Sequence, residues 1–235
     1  MTPLIPVYQI EIRYSPSLEF SREYRNILAP FIKLSTKFNI TKENTIEEAV
    51  SFFYDESDTV IIFSWDRLVL KSHGNPTKKF VANSFIDIPF LKLHKARLEK
   101  FEYCEVHNVL VAVNYILPQS DNLTEVSSSQ KFSDFIRMPD NILTGVTDWA
   151  IVLDNRQKGD SESIAFGNYK GAMELNNRSL RPIDTVDLKE FDVKGFLVEY
   201  KNLVNSGEIS KKVLEDLFKG ANAAIKNLWK QIQLK

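Results

Sequence analysis

The chain has 235 residues, 43% hydrophobic and 26% charged, and its 30 basic residues against 31 acidic ones give a net charge of -1. That length suits one large globular domain or two small units, and the balance excludes a global field drawing the protein to nucleic acid or membrane, while allowing a local patch. One cysteine, Cys104, excludes an internal disulfide and cannot alone build a metal cluster, which fits a reducing, cytoplasmic location. The opening "MTPLIPVYQI" lacks a basic stretch before an apolar core, so no signal peptide is expected. No stretch approaches the roughly 18 apolar residues of a membrane span, so no membrane partner is expected either. The 16 Phe imply a well-filled core, and the 8 Gly leave little material for phosphate-cradling loops.

In chain order, "YQIEIRY" (8–14) alternates strictly and predicts a half-buried strand, with Tyr8, Ile10, Ile12 and Tyr14 on one face. A helix follows in "SREYRNILAPFIKLSTKF", with Tyr24, Ile27, Leu28 and Phe31 on its stripe and a kink or break expected at Pro30. "TIEE" has the spacing of a capping box, Thr45 to Glu48, and predicts a short helix with Ile46, Ala49, Val50 and Phe53 on its apolar face. Residues 58–74 predict two strands joined by a turn at Ser64–Arg67, and "HGNPTKK" a polar loop. "PFLKLHKARLEKF" predicts a helix with Pro89 in its first turn and His94 on its apolar stripe.

Residues 106–117 predict a central strand, since both its faces are largely apolar; Asn114 is the one amide among them. "PQSDNLTEVSSSQ" predicts a loop and "KFSDFIRM" a short helix closed by Pro139. Residues 148–155 and 163–175 predict two more strands. The tail predicts two helices. One carries Val193, Phe196, Leu197, Tyr200 and Val204; the other runs from near Ser210 with Val213, Leu214, Leu217, Phe218, Ala221, Ile225, Leu228, Trp229 and Ile232. The expected fold is α+β, with two related strand–helix–strand–strand units, mixed or antiparallel sheets and a helical C-terminus. The expected divisions are 1–104, 105–186 and 187–235.

Several stretches resemble an uncharacterised, sporadically distributed family of bacterial proteins of similar length. "FSWDRLVLKSHG" resembles a strand–turn–strand segment of that family, and "VLVAVNYILPQSD" its central "YINRI" strand. "FSDFIRMPDNI" resembles the short helix and Pro-containing loop that follow, and "LEDLFKGANAAIKNLW" the C-terminal helix. The chain departs from the pattern at Ala112 and Val113, where the family favours an Arg–Tyr pair, and at Ser72–His73, where it favours a Trp. The resemblance implies a bacterial, non-housekeeping protein of mobile elements or defence clusters, and it names no catalytic residue.

Four sets of residues invite a chemical reading. Asp184, Glu199 and Lys201 imitate the Asp…Glu-x-Lys signature of a metal-dependent nuclease, which needs Glu and Lys side by side on a strand. With a helical stripe predicted around "VEYK", those two side chains point about 200° apart and the site is not expected to form. His73, His94 and His107 fall in separate elements without metal-ligand spacing. Cys104 lies three residues before His107, but Glu102 and Glu105 disfavour a thiolate there. Lys78 and Lys79, with Lys92, Lys95, Arg97 and Lys100, form the candidate nucleic-acid surface, interrupted by Glu99 and Glu102. Phe218 and Trp229 are the candidate partner-binding residues if part of the last helix stays exposed.

No catalytic residue, metal or cofactor is expected. The reading is a non-enzymatic binding or scaffolding subunit of a multi-protein bacterial assembly. Its partners would be proteins or a second copy of the chain, with a nucleic-acid-binding module or metal-dependent nuclease as the alternative. Asn114, inside an apolar strand, is expected to be a structural pin.

Overall fold

Alternation in the first strand sets the two sides of the whole molecule. The computed structural model describes residues 3–81, 89–118, 148–157, 159–178, 180–205 and 207–233. In it Tyr8, Ile10, Ile12 and Tyr14 of β1 (Leu4–Tyr14) point into the main core, and Gln9, Glu11 and Arg13 point away from it. The remaining strands among the described residues are β2 (Lys37–Thr41), β3 (Ala49–Tyr54), β4 (Thr59–Ser64), β5 (Arg67–Ser72), β6 (Val106–Pro118), β7 (Ala150–Gln157), β8 (Asp160–Tyr169) and β9 (Gly195–Val204). All nine join one antiparallel sheet in the order β2-β3-β4-β5-β1-β6-β9-β8-β7. The fold is α+β.

The strand order repeats about the β1–β6 seam. On one side run β1, β5, β4 and β3; on the other run β6, β9, β8 and β7 in the same relation. In each half the first strand pairs with the last and lies innermost, so the two halves close on each other through their first strands.

The α-helices among the described residues are α1 (Phe20–Ile32), α2 (Pro76–Val81), α3 (Phe90–Lys100) and α4 (Lys211–Gln233). Phe20, Tyr24, Ile27 and Leu28 of α1, Leu93 of α3, and Leu214, Phe218 and Ala221 of α4 join Phe52, Phe63, Leu68, Val111 and Tyr200 in one core. Phe20 stacks on Tyr24 at 5.2 Å and on Phe63 at 5.3 Å, and Phe218 meets Tyr8 edge-on at 5.3 Å. Each such fully buried large apolar side chain contributes about 1.5–3 kcal/mol of transfer free energy. Pro30 lies within α1, which ends two residues later. No helix among the described residues is long and apolar enough to cross a membrane.

Three local expectations are corrected. The short helix expected from Thr45 is a turn followed by β3, because pairing with β2 and β4 buries Val50, Phe52 and Tyr54 at strand period and leaves Ile46 67% exposed. Glu48 does not close a capping box. Buried, it accepts a hydrogen bond from the Tyr24 hydroxyl at 2.5 Å and another from the Asn44 N–H. The helix expected over 193–204 is β9. A central strand apolar on both faces carries hydrophobes at adjacent positions, so Phe196 and Leu197 mimic a helical stripe. Gly195 sits where β9 starts against β6; a Cβ there would lie 2.1 Å from the Leu117 carbonyl oxygen. Finally, the "HGNPTKK" loop turns helical at Pro76, a residue suited to a first helical turn. The expected helix over 131–138 and the loop before it lie outside the described residues.

Candidate functional site

The α-helices cover one face of the sheet, so the other face decides what the molecule presents. One end of that face is covered by the segment after β8. Leu175, Val186 and Phe191 pack there on Ile116, Tyr169 and Leu197, and Leu180 fills the space over Val7 and Ala112. The strap is fixed by polar contacts too: Asn114 donates to the Leu180 carbonyl at 2.9 Å, and the Tyr169 hydroxyl donates to the Phe191 carbonyl at 2.8 Å.

Beside the strap, a band of the face crosses all nine strands, and strand register spells it out. A floor row runs Asn39, Ser51, Ile62, Val69, Glu11, Leu110, Leu203, Ser161 and Arg156. Two residues along the strands, on the strap side, a parallel row runs Lys37, Phe53, Val60, Lys71, Gln9, Ala112, Lys201, Ser163 and Asp154. On the opposite side Arg67, Arg13 and Asn108 stand opposite one another on β5, β1 and β6. With neighbouring strands about 4.8 Å apart, Lys37, Lys71 and Lys201 recur every three strands, at roughly 14 Å. The two flanking rows lie about 13 Å apart, four residue rises.

Charge on this band is uneven, unlike the chain as a whole. Its cations are Lys37, Arg67, Lys71, Arg13, Lys201 and Arg156, and its carboxylates are Glu11, Glu199 and Asp154. Each carboxylate is bonded to basic neighbours: Glu11 to Arg13 at 2.6 Å and Arg67 at 3.5 Å, Glu199 to Lys201, and Asp154 to Arg156 at 2.8 Å. Lys37 lies over the Phe53 ring at 4.8 Å. Lys71 forms no ion pair among the described residues. Its burial holds the ammonium pKa below the ordinary lysine value, Glu11 pulls it up in part, and the nearby Arg181 pushes it further down.

The basic residues singled out from sequence are dispersed on the helical side. Arg97 is fully buried; it donates to the carbonyl oxygens of Ser64 and Trp65 and lies 4.2 Å from the Tyr14 ring centroid, so it is not part of a surface. Lys79 donates to the Ser57 carbonyl at 2.9 Å and the Ser72 hydroxyl at 2.8 Å, inside the fold. Lys95 pairs with Glu99 and Lys100 with Glu23, while Lys78 and Lys92 are exposed. Moreover α2 packs with α4 and α3 with α1, which separates the two groups. Phe218 is buried in the core, and Trp229 is half-buried, edge-on to Phe196 at 6.5 Å.

Glu199 and Lys201 require a different correction. They lie on β9, not on a helix, so they point to the same side of the sheet and bond to each other. The geometric objection to an Asp…Glu-x-Lys site therefore falls. Asp184 is exposed in the strap on that same face. Among the described residues no group of three or more His, Cys, Asp or Glu is placed to hold a metal. His73 meets Asp58 at 3.2 Å and Glu190 at 3.8 Å, His94 bonds to Tyr14, and His107 to Ser15. Cys104 accepts a weak hydrogen bond from Arg97. A groove of about 440 Å³ between β7, β8 and α4 is lined by Leu153, Ile164, Ala224 and Leu228, with Glu162 at its wall bonded to the Tyr200 hydroxyl.

Sequence reading missed the band because it weighed runs of charge within single elements. Gln9, Glu11 and Arg13 were already legible as an outward row; Lys37, Phe53, Lys71 and Lys201 become neighbours only through sheet register. The arrangement is a charged face of an antiparallel sheet, with basic side chains in the rows that flank its floor.

Neither a scan of protein-family models nor a search of curated proteins finds a match, and neither indicates an activity. Among solved structures, the chain is similar to the rolling circle replication initiator protein from Geobacillus stearothermophilus. That likeness has 11% identity over 92% of this chain and 78% of that one, with a TM-score of 0.28. A likeness at that score constrains neither ligand nor activity.

Proposed function

We propose that this chain is a non-enzymatic binding subunit and that the open band of its sheet is the working surface. The observation that carries the reading is the band itself: nine strands in register, one face packed with helices and the other, beside the strap, carrying basic and polar side chains among aliphatic ones. The family resemblance supports a bacterial multi-protein assembly of the defence or mobile-element kind as its setting. The test is purification of the tagged chain from its native host. The Ser51→Glu/Ser161→Glu variant is expected to lose the partner that wild type retains, while Lys95→Glu, on the helical side, keeps it. Recovery of wild type alone as a monomer overturns the reading, as does loss confined to Lys95→Glu.

A second reading, a metal-dependent nuclease using Asp184, Glu199 and Lys201, is favoured by one observation: Glu199 and Lys201 share a strand face. Cleavage of DNA or RNA with Mg²⁺ or Mn²⁺, lost in Glu199→Ala, establishes it. No cleavage by wild type leaves the binding reading in place.

A further inference from the structure

We infer that the ligand of the open band is a single-stranded nucleic acid laid across the strands along the floor row, between its two basic flanks. The inference rests on the binding reading above and names the ligand class for the same surface.

Three features of the band select that class. First, the flanks are cationic on both sides, with Lys37, Lys71 and Lys201 on one and Arg67 and Arg13 on the other, and the strap adds Arg181 beside Lys71. Phosphates of a chain following the floor would lie within reach of both flanks, and an anion beside Lys71 relieves its repulsion from Arg181. Second, on either side of the buried Glu11 the floor has aliphatic side chains, Ile62 and Val69 on one side and Leu110 and Leu203 on the other, with the small polar Asn39, Ser51 and Ser161 farther out and Arg156 at the end. Such a surface accepts base faces and edges without demanding one sequence. Third, Phe53 is half-exposed with Lys37 over its ring, an aromatic platform with a cation attached.

Competing ligands fit less well. A duplex hides its base faces and cannot stack on Phe53. A protein partner is anchored by clustered aromatic and arginine side chains in desolvated pockets; among its described residues this band offers one aromatic, Phe53.

The experiment measures fluorescence anisotropy of labelled single-stranded DNA and RNA of about 20 nucleotides, longer than the roughly 4–16 that one such surface covers. It is run from about 50 to 200 mM salt with wild type, Lys37→Gln/Lys71→Gln/Lys201→Gln, Phe53→Leu, Ser51→Glu/Ser161→Glu and the helical-side control Lys92→Gln/Lys95→Gln. Wild type is expected to bind with a linear log–log salt dependence. The triple lysine variant should lower the slope by about 2, since each phosphate contact on a single strand contributes about 0.7. Phe53→Leu should weaken binding by about tenfold, the effect of losing one stacked base. The control should change neither quantity. Circular dichroism and thermal melting check that every variant is folded; Ser51 and Ser161 are partly exposed, so their variant tests the band even if a lysine variant unfolds.

A duplex of the same sequence binding as tightly as the single strand overturns the inference. So does binding untouched by the triple variant, or no binding at about 50 mM salt. If oligonucleotides fail to bind yet Ser51→Glu/Ser161→Glu still releases the native partner, the inference falls and the binding reading survives. If that variant changes neither, both fall.

Discussion

Asn114 on β6 donates through Nδ2 to the backbone carbonyl of Leu180 at 2.9 Å, joining the middle of the sheet to the strap that crosses it. Both partners are buried, Asn114 completely. The bond accounts for the Nδ2 group of an amide in an otherwise apolar strand: it satisfies a strap carbonyl that lies outside any strand ladder. Asn114→Ala is expected to lose about 1–3 kcal/mol, the cost of leaving that carbonyl buried without a donor. Urea denaturation of wild type and variant measures it. Unchanged stability would mean that the strap is held by Leu175, Leu180, Val186 and Phe191 alone.

Arg97 is a second pin. Its guanidinium reaches the carbonyl oxygens of Ser64 and Trp65 at the β4–β5 turn while lying against Tyr14, Phe20, Phe63 and Phe101. A planar fork can serve two carbonyls and stack on rings at once; an ammonium cannot. Arg97→Lys is therefore expected to destabilise the fold by about 1–3 kcal/mol through one abandoned carbonyl, and Arg97→Met by more. Thermal melting checks the order. Equal melting of wild type and Arg97→Lys would show that the fork geometry is immaterial.

These pins show what could be read in advance. β1, β4, β5, β6 and α4 follow from period alone, because each buries one clean stripe or run. β9 does not, since a strand covered on both faces loses its alternation: Phe196, Leu197 and Val198 are all buried. Nor could Arg97 be told from its solvated neighbours Lys92, Lys95 and Lys100, because the rings that enclose it come from β1, β4, α1 and the end of α3. The candidate surface was hidden for a related reason. Lys37, Lys71 and Lys201 are far apart along the chain, and only the register of β2, β5 and β9 lines them up. Asn114 was legible, because an amide amid apolar residues on both faces of a strand needs a partner.

Acid should weaken the fold through His94. Burial is the main cause that holds its pKa below the usual 6.5, and the positive Arg97 lowers it further. The unfolded chain thus takes up this proton more readily than the native protein. Stability from neutral His94 is fully present above the unfolded value and falls as pH drops below it, by at most about 1.4 kcal/mol per pH unit for one proton. His94→Gln removes this group's titration while keeping a polar side chain near the Tyr14 hydroxyl, which it meets at 2.9 Å. Denaturation curves at about pH 7.5 and 5.5 should show a larger loss for wild type than for the variant. Equal losses would place the acid sensitivity elsewhere.

Two glycines should respond oppositely to the same methyl group. Gly220 lies in α4 with nothing within 4 Å of the position its Cβ would take. Its only contribution there is backbone freedom in the unfolded chain, so Gly220→Ala is expected to stabilise by about 0.5–1 kcal/mol. Gly195 begins β9, and its Cβ would sit 2.1 Å from the Leu117 carbonyl oxygen and 3.0 Å from its carbon, both backbone atoms. A strand edge cannot give way there without breaking register with β6, where Gly195 stands opposite Pro118. Gly195→Ala is expected to destabilise by more than Gly220→Ala stabilises. Parallel thermal melts of the two single variants and the double variant test both signs. A melting point raised by Gly195→Ala would show that β9 starts farther from β6 than this geometry requires; one lowered by Gly220→Ala would show that a neighbour closes on that face of α4.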